Sequence, residues 1–174
     1  MKSKDYIIEF NKLHKGMNEF SYPIDANFLA KIDGEHPTKA DVLVKLQMIK
    51  SEMMYDLKFN LSGKVSLECD NCLDDFEMDI KGNYHLIMKI SEVENYTDDE
   101  IIFIIPQLLE YDVTQYIYES FLLSIPAKRI CALGNKECNK EFTNKLNELE
   151  QNDSEVDKKE NDPRWDTLKG IINN

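Results

Sequence analysis

The chain has 174 residues, of which 33 are acidic and 21 basic, giving a formal net charge of −12; 42% are hydrophobic and 31% charged. That is one domain's worth of sequence with apolar content for a single core, which excludes low-complexity and fibrous classes. The acid excess argues against phosphate binding over the whole surface, which needs clustered Lys and Arg to displace counterions, and against a polybasic membrane anchor.

The first third reads as short strands around one helix. Tyr6–Phe10 and Glu19–Tyr22 are short and aromatic-rich, separated by Lys15-Gly16 and with Pro23 expected to close the second. Asp25 is a natural N-cap, Phe28, Leu29 and Ile32 recur at helical spacing, and Gly34 offers a stop. From Val42 to Ile90 the period changes to two. Val42, Val44, Leu46 and Met48 alternate with mostly polar neighbours, and so do Tyr55 to Leu61, Val65 to Cys69, Phe76 to Ile80 and Tyr84 to Ile90. Such alternation predicts an antiparallel meander with one buried face, with Gly63 and Gly82-Asn83 as turn or bulge residues. Ser91–Glu100 is an acidic stretch expected as a solvated loop, and Ile101–Ile105 is an apolar strand ended by Pro106. Asp112 with Gln115 three residues on makes a capping-box-like start for a helix with the stripe Val113, Tyr116, Ile117, Ser120 and Phe121, which Pro126 ends.

Composition then shifts. The expected organisation is a single α+β domain over residues 1–140, mainly an antiparallel meander or partly open barrel with a few packed helices. A flexible acidic linker at 141–161, with a helical turn around Leu146–Glu150, leads to a C-terminal amphipathic docking helix at 162–174. In the last segment Asp162 can cap, Pro163 suits the first helical position, and Trp165, Leu168, Ile171 and Ile172 share a face. No apolar stretch of signal-peptide length follows Met1–Asp5, and no run of ~18 apolar residues occurs, so a soluble cytoplasmic protein is expected.

In a reducing compartment the 4 cysteines are not expected to form disulfides. Cys69-Asp70-Asn71-Cys72 falls between two expected strands, as a knuckle that aims two sulfurs at one point. Cys131 and Cys138 form a second pair with a wider gap. Together they could make a structural zinc site tying the sheet to the loop after the Asp112 helix; reduced thiols without metal and a redox pair at Cys69/Cys72 remain open. The redox reading is weakened because thioredoxin-like chemistry places its C-x-x-C at a helix start, whereas a strand follows here. No G-x-S-x-G, H-E-x-x-H, P-loop or G-x-G-x-x-G is present, and His14, His36 and His85 lack partners at ligand spacing, so no enzyme is indicated. The basic residues Lys128, Arg129 and Lys136 flank the second pair as a candidate RNA or phosphate contact, whereas Asp70, Asp74 and Asp75 beside the first pair suit a basic partner.

The segment Leu67-Glu68-Cys69-Asp70-Asn71-Cys72-Leu73-Asp74-Asp75-Phe76 resembles the cysteine-pair hairpin of the YceD family. The helix from Asp112-Val113 through Leu122-Leu123-Ser124-Ile125-Pro126 to Cys131, and the ending Asp162-Pro163-Arg164-Trp165 with Leu168, are similar to that family's in the same order. Asn71 and Asp74-Asp75 stand where family members often carry Arg and Pro, which removes a cation from the hairpin tip. The resemblance implies a non-enzymatic ribosome-biogenesis role in the synthesis, processing or stability of large-subunit 23S ribosomal RNA. The expected partner is a ribosomal protein or assembly intermediate, with Arg164, Trp165 and Leu168 as further contacts, RNA through a small basic patch, and neither DNA nor membrane. Two other readings stand beside it: a metal- or thiol-dependent enzyme acting on RNA, and a zinc-stabilised interaction domain unrelated to ribosomes.

Overall fold

The computed structural model describes residues 6–34, 36–37, 39–91 and 101–156. In chain order the elements are β1 (Ile7–Glu9), β2 (Gly16–Ile24), α1 (Ala26–Leu29), β3 (Lys39–Lys50), β4 (Met54–Glu68), β5 (Asp75–Ile90), β6 (Ile101–Ile104), β7 (Glu110–Asp112), α2 (Thr114–Leu123) and α3 (Lys140–Val156). Short 3₁₀ turns cover Phe10–Lys12 and Cys131–Gly134. Among the described residues the architecture is α+β, a five-stranded sheet in the order β2-β3-β4-β5-β6 with β1 and β7 paired separately. The first four strands form an antiparallel meander, and β6 adds to β5 in parallel.

Residue parity sets this sheet. Even positions of β3 (Val42 to Met48), odd positions of β4 (Tyr55 to Leu67, with Gly63 half-buried) and even positions of β5 (Phe76, Ile80, Leu86, Met88) turn to the covered face, and their side chains are buried. The parity does not change at Gly63 or at Gly82, and neither makes a turn: each lies inside a strand, of 15 and 16 residues respectively. Both occupy the covered face where something comes close. A Cβ on Gly63 would run into the backbone of Asp41 and Val42, and one on Gly82 would lie 2.8 Å from Ser124 Cβ at the end of α2. Pro23 likewise does not close β2 but sits within it opposite Leu43; an edge strand tolerates the missing N–H.

The cover over this face comes from both ends of the described chain. Val113, Ile117 and Phe121, four residues apart on α2 and its N-cap, have no exposed surface. Phe28 and Leu29 of α1 are also buried, on a helix started by the Asp25 carboxylate accepting from the Phe28 N–H at 2.9 Å. Ile8 on β1 adds to the core, with Tyr6 edge-on to Phe28 at 5.0 Å and Phe10 stacked on Tyr55 at 4.7 Å. The α2 start is simpler than a full capping box: Thr114 N–H donates to Asp112 Oδ1 at 2.9 Å, while Gln115 turns to Glu119. The helical turn expected around 146–150 extends through all of α3, led by Asn139, whose side chain accepts from Glu141 N–H at 3.1 Å. None of the helices among the described residues is long and apolar enough to cross a membrane. The acidic stretch beyond Ser91 and the segment from residue 157 on, with Arg164, Trp165 and Leu168, lie outside the described residues.

A four-thiol candidate metal centre

The β4–β5 hairpin and the loop after α2 meet at sulfur. Cys69 follows the last residue of β4, and the backbone turns back on itself, with Cys69 N–H donating to Asp74 O at 3.0 Å and Leu73 N–H to Cys69 O at 2.9 Å. Leu73 takes a left-handed conformation (φ 61°) so that the chain can reverse. On the other side, Pro126 leads away from α2 to the 3₁₀ turn beginning at Cys131. Bonds from Leu133 N–H to Ile130 O (2.9 Å) and Lys136 N–H to Cys131 O (3.0 Å), with Asn135 left-handed at φ 55°, curl this loop tightly. The curl explains the wide cysteine spacing: the intervening residues close a turn that brings Cys138 back beside Cys131.

The four Sγ atoms of Cys69, Cys72, Cys131 and Cys138 lie within 4.8 Å of one another. The Cys69–Cys138 separation is 3.7 Å and the Cys72–Cys131 separation 3.6 Å. A disulfide requires ~2.05 Å, whereas a tetrahedron of thiolates at ~2.3 Å from zinc has edges of about 3.8 Å. The donor set therefore fits a tetrahedral thiophilic ion, and the four cysteines could hold one. Three of them are buried and Cys138 is half-buried. Burial opposes ionisation of Cys69, but the N–H groups of Asn71, Cys72 and Cys131 outweigh it and draw its thiol down to about 6. Burial pushes Cys131 up to about 12, helped by the thiols beside it, and Cys138 moves in the same direction for the same first reason. Cys69 is thus prepared as a thiolate, while Cys131 and Cys138 favour the protonated form and would give up those protons to a metal.

Polar contacts lock the two halves together. Asp70 Oδ2 accepts from Arg129 N–H at 2.6 Å, its other oxygen pairs with the Arg129 guanidinium at 3.4 Å, and Asp70 N–H donates to Arg129 O at 2.7 Å. Lys136 Nζ reaches back to Asp75 O at 2.7 Å. Arg129 and Lys136, read from sequence as phosphate contacts, and Asp70, read as a partner contact, are each engaged across the thiol site; Lys128, Asp75 and half-buried Asp74 remain at the surface. Of the histidines, His85 is exposed on β5 and pairs with Asp56 at 2.8 Å.

Gly134 makes the closest approach of loop to sheet, since a Cβ there would strike Glu77 O and come within 2.9 Å of the Phe76 ring. Gly134→Ala should cost about 1–3 kcal/mol by overpacking and weaken metal retention several-fold; competition with a chromogenic chelator measures this, and unchanged retention would separate the loop's seating from the site.

The model of the YceD family, described as large ribosomal RNA subunit accumulation protein, matches residues 57–171. The chain belongs to the YceD family. Both cysteine pairs, α2 and α3 fall within the matched residues, whereas β1, β2, α1 and β3 precede them. No curated protein and no solved structure matches the chain. The YceD name ties the family to accumulation of large-subunit ribosomal RNA.

Proposed function

We propose that the chain is a non-enzymatic, cytoplasmic ribosome-biogenesis factor that supports 23S ribosomal RNA by binding, with zinc held by Cys69, Cys72, Cys131 and Cys138 as a structural staple. The observation that carries the non-enzymatic reading is the closure of the thiol site. Four protein sulfurs converge on one point, and a catalytic zinc typically keeps a position for water or substrate. Four thiolates around a divalent cation leave a net negative charge, which Arg129, held by Asp70, and Lys136, held by the Asp75 carbonyl, would help to offset.

The binding surface for a basic ribosomal protein is the acidic end of the sheet. Asp74 and Asp75 lead into β5, whose outward residues Glu77 and Asp79 are exposed, and Glu68 faces Asp75 across the hairpin. Arg164, Trp165 and Leu168 serve as a second docking element on the same partner. The test is recovery from lysate by tagged full-length chain, with and without nuclease. Large-subunit proteins should be retained after nuclease treatment and fall at least several-fold with Asp74→Asn/Asp75→Asn. Failure to recover large-subunit protein or RNA at any salt concentration overturns the ribosomal reading in favour of an unrelated interaction domain.

A further inference from the structure

The acid excess hides a basic surface that only the strand register reveals. On the solvent side of the sheet, exposed Lys45, Lys58 and Lys81 come from β3, β4 and β5. Their cross-strand partners carry no carboxylate: Ser21 and Asn60 flank Lys45, Gln47 and His85 flank Lys58, and Ser62 faces Lys81. Lys64 shows the ordinary arrangement by contrast, set between Asp41 and Asp79. Of the acids around the three lysines, Glu19 accepts from Gln47 at 3.0 Å and Asp56 from His85 at 2.8 Å, while Asp79, two residues from Lys81 on the same face, stands opposite Lys64. Lys12 and Lys15, by contrast, are paired with Glu9 and Glu52. The sheet face is therefore divided, acidic toward the thiol hairpin and basic over its middle.

We propose that this middle region binds the phosphate backbone of RNA through Lys45, Lys58 and Lys81, which deepens and rests on the ribosomal reading above. Strand spacing of ~4.8 Å and a rise of ~3.4 Å per residue put the Cα atoms of Lys45 and Lys58 about 8 Å apart and those of Lys45 and Lys81 about 12 Å apart, a span of several phosphates. Apart from His85, the residues between them are the amides Gln47 and Asn60 and the hydroxyls Ser21 and Ser62, suited to 2′-hydroxyl and phosphate oxygens. No Phe, Tyr or Trp stands among them, and the one ring present, His85, is held by Asp56, so the face is poor in stacking platforms and recognition is by backbone shape, as for duplex RNA. Positive charge gathered in one place answers the objection that a net charge of −12 raises against RNA.

The test is filter binding of the metal-loaded full-length chain to an RNA duplex of about 20 base pairs and to deproteinised 23S ribosomal RNA across a potassium chloride series. Lys45→Gln/Lys58→Gln/Lys81→Gln should weaken binding about tenfold or more near ~0.1 M salt and make the log–log salt slope shallower by about 2–3. Lys12→Gln/Lys15→Gln/Lys64→Gln removes the same charge from paired lysines and should change little; thermal unfolding confirms that both variants fold. Equal losses in the two variants, no RNA binding by the unaltered chain, or loss of an acidic protein from pull-downs with RNA binding intact would each overturn the assignment. Depletion of the chain without a fall in large-subunit RNA would instead overturn the ribosomal reading and leave the binding result standing.

Discussion

Cys72→Ser should remove metal retention and lower stability by at least ~3 kcal/mol, a drop of roughly 10 °C in thermal midpoint for a domain of this size. Cys72 is 4% exposed, 3.6 Å from the Cys131 sulfur. A serine hydroxyl does not ionise at neutral pH, so the substitution deletes a ligand and leaves a polar group in a site built around charge. The loss is large because the metal would join segments nearly sixty residues apart in sequence, and its binding energy is folding energy. Chelation of the unaltered protein should reproduce the drop, and chelation of the variant should add nothing. The measurements are calorimetry with and without chelator and metal content by mass spectrometry. Equal midpoints in all four arms, with no zinc in protein grown with adequate metal, would remove the staple and leave four reduced thiols.

The sheet was legible because one face is buried, so side-chain parity had to be kept over long stretches. The errors came where residue propensity was allowed to overrule parity. Gly63 and Gly82 suggest turns by type, yet Leu61 and Val65, and Ile80 and Tyr84, keep the same face on either side of them, which requires each pair to share one strand. The glycines answer a close approach of neighbouring backbone and of α2. Parallel addition of β6 was not legible, since a short apolar run carries no orientation. Nor was most of α3, whose polar composition masks its few apolar positions. At the site all four cysteines were legible as one set, the second pair despite its unusually wide gap; Gly134-Asn135 was the turn signal that could have explained that spacing. The basic face was missed because Lys45, Lys58 and Lys81 are scattered in sequence and become neighbours only through register.

Phe121→Ala should cost about 3–5 kcal/mol, comparable with losing the metal, and for a different reason. Phe121 has no exposed surface and completes the stripe that α2 lays over the sheet. Its truncation leaves a cavity between layers that cannot collapse, because the end of α2 is already seated against Gly82 and Pro126 fixes the exit of the chain. Leu122 is the internal comparison: one residue on, 36% exposed, it should lose less than about 1 kcal/mol on truncation to Ala. Urea unfolding should show a lower midpoint for Phe121→Ala with an unchanged slope. The substitution should also weaken metal retention, because α2 carries the chain to Cys131 and a tilted helix displaces two of the four ligands. Full stability with Phe121→Ala would mean that α2 does not bear on the core. Lost stability with unchanged metal affinity in the folded protein would mean that the hairpin and Asp70–Arg129 contacts hold the second cysteine pair without help from the helix.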